Sequence, residues 1–363
     1  MSDEATDDTA AENGSGNGAS AEAEAAPQSR KLRTWSSFGD IRRKPTEYEI
    51  VSHDLNYTTR ADRHAPLESN PTSPMNMWLS TYRDRSPLQV DDWHAYRDPD
   101  RLTYRAYTTG QAEAEHTAAT LLDEYSEAGH DAGLSTDWLA ALGALFCPLR
   151  FPYHGIQQIQ AYIGLVSPTS YLTNAASFAA ADCFRVVNLA AYRTTELSQT
   201  HPDAGFGTDE REHWQGGAAW QPLRRAIETA MIAYDFGEAL TATNLVIRPA
   251  VESVLFESLG EVARANEDDL TWLLLKSLGD DGERAGRWSA EVARFGVAAN
   301  ADNVVVFAKW VNRWRPRAVD AAAALAEAVA AVPGSPLSAD DIAATAEAAM
   351  DALLEASQAP VAA

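Results

Sequence analysis

From Gln111 onward, apolar residues recur at three- and four-residue spacing almost without interruption, the pattern of helices that bury one face. The spacing predicts helices over 111–129, 135–147, 149–166, 170–198, 220–247, 250–265, 267–279, 283–297, 301–313 and 318–331. Clusters of Pro, Gly and Asn such as "SPTS", "HPDAGFG" and "NADN" separate them. "IQQIQAYIGLV" and "SFAAADCFRVVNLAAY" are apolar on most faces, which places both in the middle of an all-α bundle. Strand-like alternation is scarce, with one short strand expected at "YEIVSHDLNY". After a "VPGSP" linker comes a separate amphipathic helix, with Ser338 and Asp341 at capping-box spacing and Ile342, Ala346, Met350 and Leu353 repeating on one face.

The first third of the chain has a different character. Residues 1–29 hold no aromatic and no basic side chain, so burial cannot offset the entropy of ordering them, and a disordered acidic tail is expected over 1–30. Over 31–110, Pro45, Pro66, Pro71, Pro74, Pro87 and Pro99 interrupt every helical period. Yet this irregular stretch carries Trp35, Tyr48, Tyr57, Trp78, Tyr82, Trp93, Tyr96, Tyr104 and Tyr107, interleaved with Arg and Asp. Such a segment either wraps its own helical body or lies as an arm on another subunit. Tyr, Trp and Arg are the residues enriched at interface centres, so the arm is the preferred reading. The expected organisation is thus a tail (1–30), an arm (31–110), a bundle (111–332), and a linker with a terminal helix (333–363).

Charge narrows the partners. With 52 acidic against 29 basic side chains the formal charge is −23, which opposes binding to nucleic acid or to an anionic membrane surface. Cys147 and Cys183 are the only cysteines, as expected of a reduced cytoplasmic protein and not of a disulfide scaffold. The acidic N-terminus does not resemble a signal peptide, and no apolar run reaches the roughly 20 residues that span a bilayer. A soluble, cytoplasmic protein is expected.

Two short motifs suggest metal chemistry. Glu113–His116 and Glu210–His213 both read Glu-x-x-His, the signature that, on two buried helices with a Glu from each of two others, builds a di-iron centre. The first lies in polar sequence at a helix start. The second sits between loops, where Asp209, Glu210 and Glu212 suit a short surface helix whose N-terminus favours negative charge. Between Asp137 and Asp182 there is no Asp or Glu at all, so the helices most buried by pattern cannot supply the other carboxylates. Those helices carry something else. "DCFRV" (182–186) and "DGERA" (281–285) share the frame Asp-x-x-Arg. Laid on a di-iron Asp-Glu-x-Arg-His, the frame puts Cys183 and Val186, and then Gly282 and Ala285, at the ligand positions, and none can serve as the Glu or His required. Asp182, Arg185, Asp281 and Arg284 are then expected as buried or semi-buried charge pairs with no metal to orient.

Longer runs are more specific. "RTWSSFGDIRRKPTEYEIVS", "SPMNMWLSTYRDRSPL", "DDWHAYRDPDRLTYRAY", "AYRTTELSQTHPDAGFG", "DFGEALTATNLVIRP" and "RWRPRA" make the chain similar, over roughly 31–320, to the beta subunits of bacterial multicomponent di-iron monooxygenases of the toluene, phenol and alkene type. The likeness is to the toluene 4-monooxygenase type in particular. The resemblance implies a ferritin-like bundle that has lost its iron ligands, paired with a catalytic, di-iron alpha subunit and a small gamma subunit in a dimer of trimers. It also implies an effector protein, a Rieske-type ferredoxin and an NADH-dependent reductase, with one oxygen atom of O2 entering a small hydrocarbon. No metal, cofactor or catalytic residue is then expected in this chain, and the arm would extend over the partner. The acidic tail and the helix after Pro333 look like additions to the family pattern. Two alternatives stand beside this reading: a helical protein that binds small apolar molecules, and a self-sufficient di-iron oxygenase using Glu113, His116, Glu210 and His213.

Overall fold

A computed structural model describes residues 46–52 and 74–359; the tail, Trp35 and Tyr57 lie outside them. Among the described residues every regular element is helical. The helices are α1 (Glu47–Ser52), α2 (Pro74–Leu79), α3 (Tyr104–Glu127), α4 (Thr136–Ala141), α5 (Arg150–Val166), α6 (Ser170–Thr200), α7 (Glu210–Gly216) and α8 (Gln221–Ala230). Then follow α9 (Phe236–Leu240), α10 (Arg248–Glu252), α11 (Leu259–Ala265), α12 (Asp269–Ala299), α13 (Asn303–Ala330) and α14 (Ala339–Ala356).

Short polar side chains start these helices where the sequence supplies them. Thr103, Ser135, Asp268 and Ser338 each accept a hydrogen bond from a backbone N–H in the first turn of α3, α4, α12 and α14. Asp235 accepts two at α9, from Gly237 and Glu238. The Ser338 hydroxyl also donates to the Asp341 carboxylate at 2.6 Å.

Several expected boundaries move. The strand expected in "YEIVSHDLNY" is instead helix α1 over its described part, and the reason is a capping box. The Glu49 N–H donates to Thr46 Oγ1 at 3.2 Å, and the Thr46 N–H donates to Glu49 Oε2 at 2.9 Å. Helix α3 begins at Tyr104, so Tyr104 and Tyr107 are helical and do not belong to an irregular arm. The predicted 220–247 helix breaks over 231–235, whereas Phe236–Ala265 runs on through two π-helical segments, Thr241–Ile247 and Ser253–Ser258. The helices expected at 267–279 and 283–297 are a single helix, α12, and those at 301–313 and 318–331 are α13, with Pro316 inside it. Pro316 is exposed, as is Asn312, whose carbonyl it deprives of a partner, so water can serve that oxygen.

Helices α5 and α6 pack on each other, with α8 and α9 against α5 and α12 against α6, while α13 lies against α8, α14 and the Thr241–Ile247 segment. The core is rich in rings, with Trp138, Trp220, Trp314, Tyr153, Tyr171 and Phe236 all fully buried. Helix α14, expected as a separate piece, packs along α13 and α10 and belongs to the same compact unit. Ile342, Ala346, Met350 and Leu354 are its buried face; Leu353 is only partly buried.

The segment from Pro74 to Thr103 lies against the chain's own bundle. Gln89 and Asn303 exchange hydrogen bonds at 3.0 and 2.8 Å, and the Tyr96 hydroxyl donates to the Trp288 carbonyl at 3.1 Å. Tyr48 and Tyr96, expected as partner contacts, are 4% and 0% exposed, so neither has surface left for another subunit. Trp78, Tyr82, Trp93 and Tyr107 are partly exposed, and each also meets a ring of the body: Tyr234 for the first two, Phe236 for Trp93, Phe178 for Tyr107. Tyr104 stands 70% exposed.

Candidate functional site

Where a di-iron bundle would hold its metal, between α5, α6, the α9–α11 run and α12, this chain places three layers of polar groups. The outermost is formed by the two Asp-x-x-Arg frames, which cross-pair. Arg284 donates to Asp182 at 2.7 Å, and Arg185 donates to Asp281 at 2.8 Å. Arg284 also reaches Asp281 at 2.8 Å, while Arg185 reaches Ser277 and Glu115. Helix α3 closes the arrangement: Gln111 bridges Asp182 and Asp281, and the Tyr107 hydroxyl donates to Asp182 at 2.7 Å. The four charges expected from sequence are thus brought together, and Tyr107 and Gln111 are additions that no motif announced. Burial, with the neighbouring Asp281 charge, pushes the Asp182 carboxyl up to about 6 against the pull of Arg284 and Tyr107.

The middle layer holds the four frame positions. Cys183, Val186 and Ala285 are buried and apolar in character. Burial pushes the Cys183 thiol up to about 12, which favours the neutral thiol at neutral pH. Gly282 is bare because a Cβ there would collide with the carboxylate of Glu252. That carboxylate accepts from Arg248 Nε at 2.7 Å and from the Tyr153 hydroxyl at 3.0 Å, all three groups being buried or nearly so. Burial alone opposes the charge on Arg248, and Glu252 outweighs it, raising the guanidinium's hold on its proton. An internal ion pair therefore fills the place beside the frame. The innermost layer is neutral: Asn244 is hydrogen-bonded to Gln160 and donates to Ser289 at 3.0 Å, joining the α9–α11 run, α5 and α12.

This donor set does not fit an iron pair, which needs carboxylates and imidazoles on facing helices. Among the described residues no group of three or more His, Cys, Asp or Glu side chains is placed to hold a metal ion. Glu113 and His116 are exposed on α3. Glu210 is not the solvated helix-start residue the sequence suggested: it is 1% exposed, paired with Arg150 at 3.1 Å and accepting from the Gly207 N–H at 2.6 Å. His213, partly buried, lines a separate recess of about 360 Å3 walled by Ala140, Ala144, Ala328 and Trp220. A larger open groove of about 700 Å3 lies between α12 and α14, with Glu252, Phe256, Trp272 and Lys276 on its walls.

The fold defines a class: a ferritin-like helical bundle. Comparison with known proteins identifies the member. The sequence profile described as methane/phenol/alkene hydroxylase matches residues 78–300, and the chain belongs to that family. It is 40% identical over 295 residues to the toluene-4-monooxygenase system hydroxylase component subunit beta of Ectopseudomonas mendocina, covering 81% of this chain and 90% of that protein. It is 25% identical to the propane 2-monooxygenase hydroxylase small subunit of Mycolicibacterium goodii, over 82% of this chain and 81% of that one. Among solved structures, toluene 4-monooxygenase with toluene bound in its resting active site superposes with a TM-score of 0.78 at 38% identity, over 84% of this chain and 99% of the other. Phenol hydroxylase of Pseudomonas sp. OX1 shares the fold, with a TM-score of 0.75 at 20% identity, over 89% of this chain and 93% of the other. No helix among the described residues is long and apolar enough to cross a membrane.

Proposed function

We propose that the chain is the non-catalytic beta subunit of a multicomponent monooxygenase hydroxylase acting on small aromatic or alkene hydrocarbons. The observation that supports this reading is the chemistry at the two Asp-x-x-Arg frames: Cys183, Val186 and Ala285 are buried and offer no carboxylate or imidazole, and the Arg248–Glu252 pair lies against Gly282. The names of the relatives, a subunit beta and a small subunit, support the same role. The di-iron chemistry belongs in a partner alpha subunit, with a gamma subunit completing a dimer of trimers. The effector protein, Rieske-type ferredoxin and NADH reductase complete the system, and the protein works in the cytoplasm. Within this assembly the chain's own residues hold a rigid bundle, and of the described rings expected at the contact Tyr104, on α3, is the most exposed.

The test is to purify the assembly from its host, separate the chains and measure iron in each. Iron is expected with a larger chain that carries two complete Glu-x-x-His motifs, and none above background with this one. Stoichiometric iron on this chain, lost in His116→Ala and His213→Ala, would overturn the proposal.

A further inference from the structure

The open groove between α12 and α14 has walls made of the smallest residues. On α12 it is lined by Gly279, Gly282 and Gly286, and on α14 by Ala349, Ala352 and Ala356. Spacings of three and four residues put each set on one helix face. Two of the glycines answer to the chain's own packing: a Cβ at Gly282 would collide with the Glu252 carboxylate, and one at Gly286 would lie 3.4 Å from the Leu353 side chain. Gly279 does not. It sits inside a 31-residue helix, where glycine is unfavourable relative to Ala, and a Cβ there would meet nothing within 4 Å. No contact within the chain requires it. What it provides is bare helix backbone on the wall of the groove, where another molecule can come close.

The remaining lining says what that molecule is. Phe256, Trp272, Leu275 and Leu353 supply apolar surface, while Glu257, Glu261, Asp280 and Glu283 stand exposed around it. Glu261 and Asp280 make no salt bridge among the described residues. The two cations of the lining are engaged: Arg287 holds Asp100 at 3.0 Å, and Lys276 lies over the Trp272 ring at 5.6 Å. Along α12 the lining runs from Trp272 to Arg287, about 22 Å at the rise of an α-helix, which is the length of roughly four helical turns. We infer that this groove is a docking site for an amphipathic helix of another polypeptide, apolar on one face and flanked by Lys or Arg. The glycine and alanine walls let the helix settle deeply, the rings and leucines take its apolar face, and the carboxylates take its cations. A second copy of this chain would bring another −23 and is repelled. A small polyamine would lay charge over apolar surface, which is unfavourable. The inference goes beyond the subunit role and does not depend on it.

The experiment titrates the full-length chain into a fluorescently labelled synthetic helix of about four turns, with leucines along one face and lysines beside them. Two further peptides serve as controls, one with every lysine replaced by glutamate and one with the same residues in scrambled order. The lysine peptide should bind saturably, and both controls should bind about tenfold more weakly or worse. Gly279→Leu fills the groove from a position with free space, so its Tm should equal or exceed that of wild type while affinity for the lysine peptide falls about tenfold or more. Glu261→Lys combined with Asp280→Lys, both at exposed positions, should weaken the same peptide by about tenfold. Absence of saturable binding by wild type, equal affinity for either control peptide, or unchanged affinity in Gly279→Leu overturns the inference. Saturable binding of spermine that Gly279→Leu abolishes, with none of the lysine peptide, would assign the groove to a small cation instead.

Discussion

At the scale of single residues, the polar interior makes stability depend on pH at two places. His130 and Asp268 are 3.1 Å apart, and Trp138 donates to the same carboxylate at 2.9 Å. The hydrogen bond to Asp268 raises the His130 pKa. Asp268 moves down, because its bonds from His130, Thr271 and Trp138 outweigh its burial. The histidine's contribution is therefore complete below its unfolded value and lost as pH rises through the raised one, whereas the aspartate's is lost as pH falls through the lowered one. His130→Ala should cost about 2 kcal/mol at pH 6 and distinctly less at pH 9, measured by urea unfolding. Asp182 moves opposite to Asp268 and so shares the sense of His130. Its raised pKa means that stability is fully present below the ordinary carboxylate value and falls as pH rises towards about 6. Asp182→Asn should flatten the fall in unfolding free energy between pH 4 and 7, and an unchanged slope would show that the clasp titrates elsewhere. Asp182 and its three partner charges were readable from "DCFRV" and "DGERA" because a repeated frame is a local signal. Arg248 and Glu252 were not, since nothing in "LVIRPAVE" says that the Glu252 side chain, held by Arg248, meets Gly282 from another helix. Glu210 was misjudged for the same reason: its burial depends on Arg150, sixty positions away in sequence.

Among the elements, α12 shows most clearly what packing adds to local preference. "GDDGERAG" reads as a break, and in isolation each glycine costs a helix up to about 1 kcal/mol relative to Ala. The helix continues because those positions differ in their surroundings. Nothing lies within 4 Å of a Cβ placed at Gly279, whereas one at Gly282 would meet Glu252. Gly279→Ala should therefore raise stability by about 0.5–1 kcal/mol, and Gly282→Ala should lower it by about 1–3 kcal/mol. Thermal unfolding of the two variants decides the matter, and equal shifts would refute the account of Gly282. Helix α14 offers a second test. Met350 is fully buried, so Met350→Ala should cost about 2–5 kcal/mol, far more than a helix merely tethered by a linker would show. The periodicity of α14 was visible in the sequence, but its partner was not, because a stripe of Ile342, Ala346 and Met350 does not specify which surface it covers.

For the whole molecule, the helical class, the order of helices and the buried character of α5 and α6 followed from periodicity, which reports burial directly. The path of residues 74–103 over the bundle did not, because aromatic composition is the same for a ring that packs on its own chain and for one that packs on another.

The Arg248–Glu252 pair has a consequence for how such a protein is made. In a bundle closed by a metal, completion waits on the ion, and the apo chain is a partly finished object exposed to proteases and aggregation. Here the closing groups are encoded in the chain and arrive with translation. The Arg248–Glu252 pair needs no ion to form, so this part of the bundle closes whether or not iron is at hand.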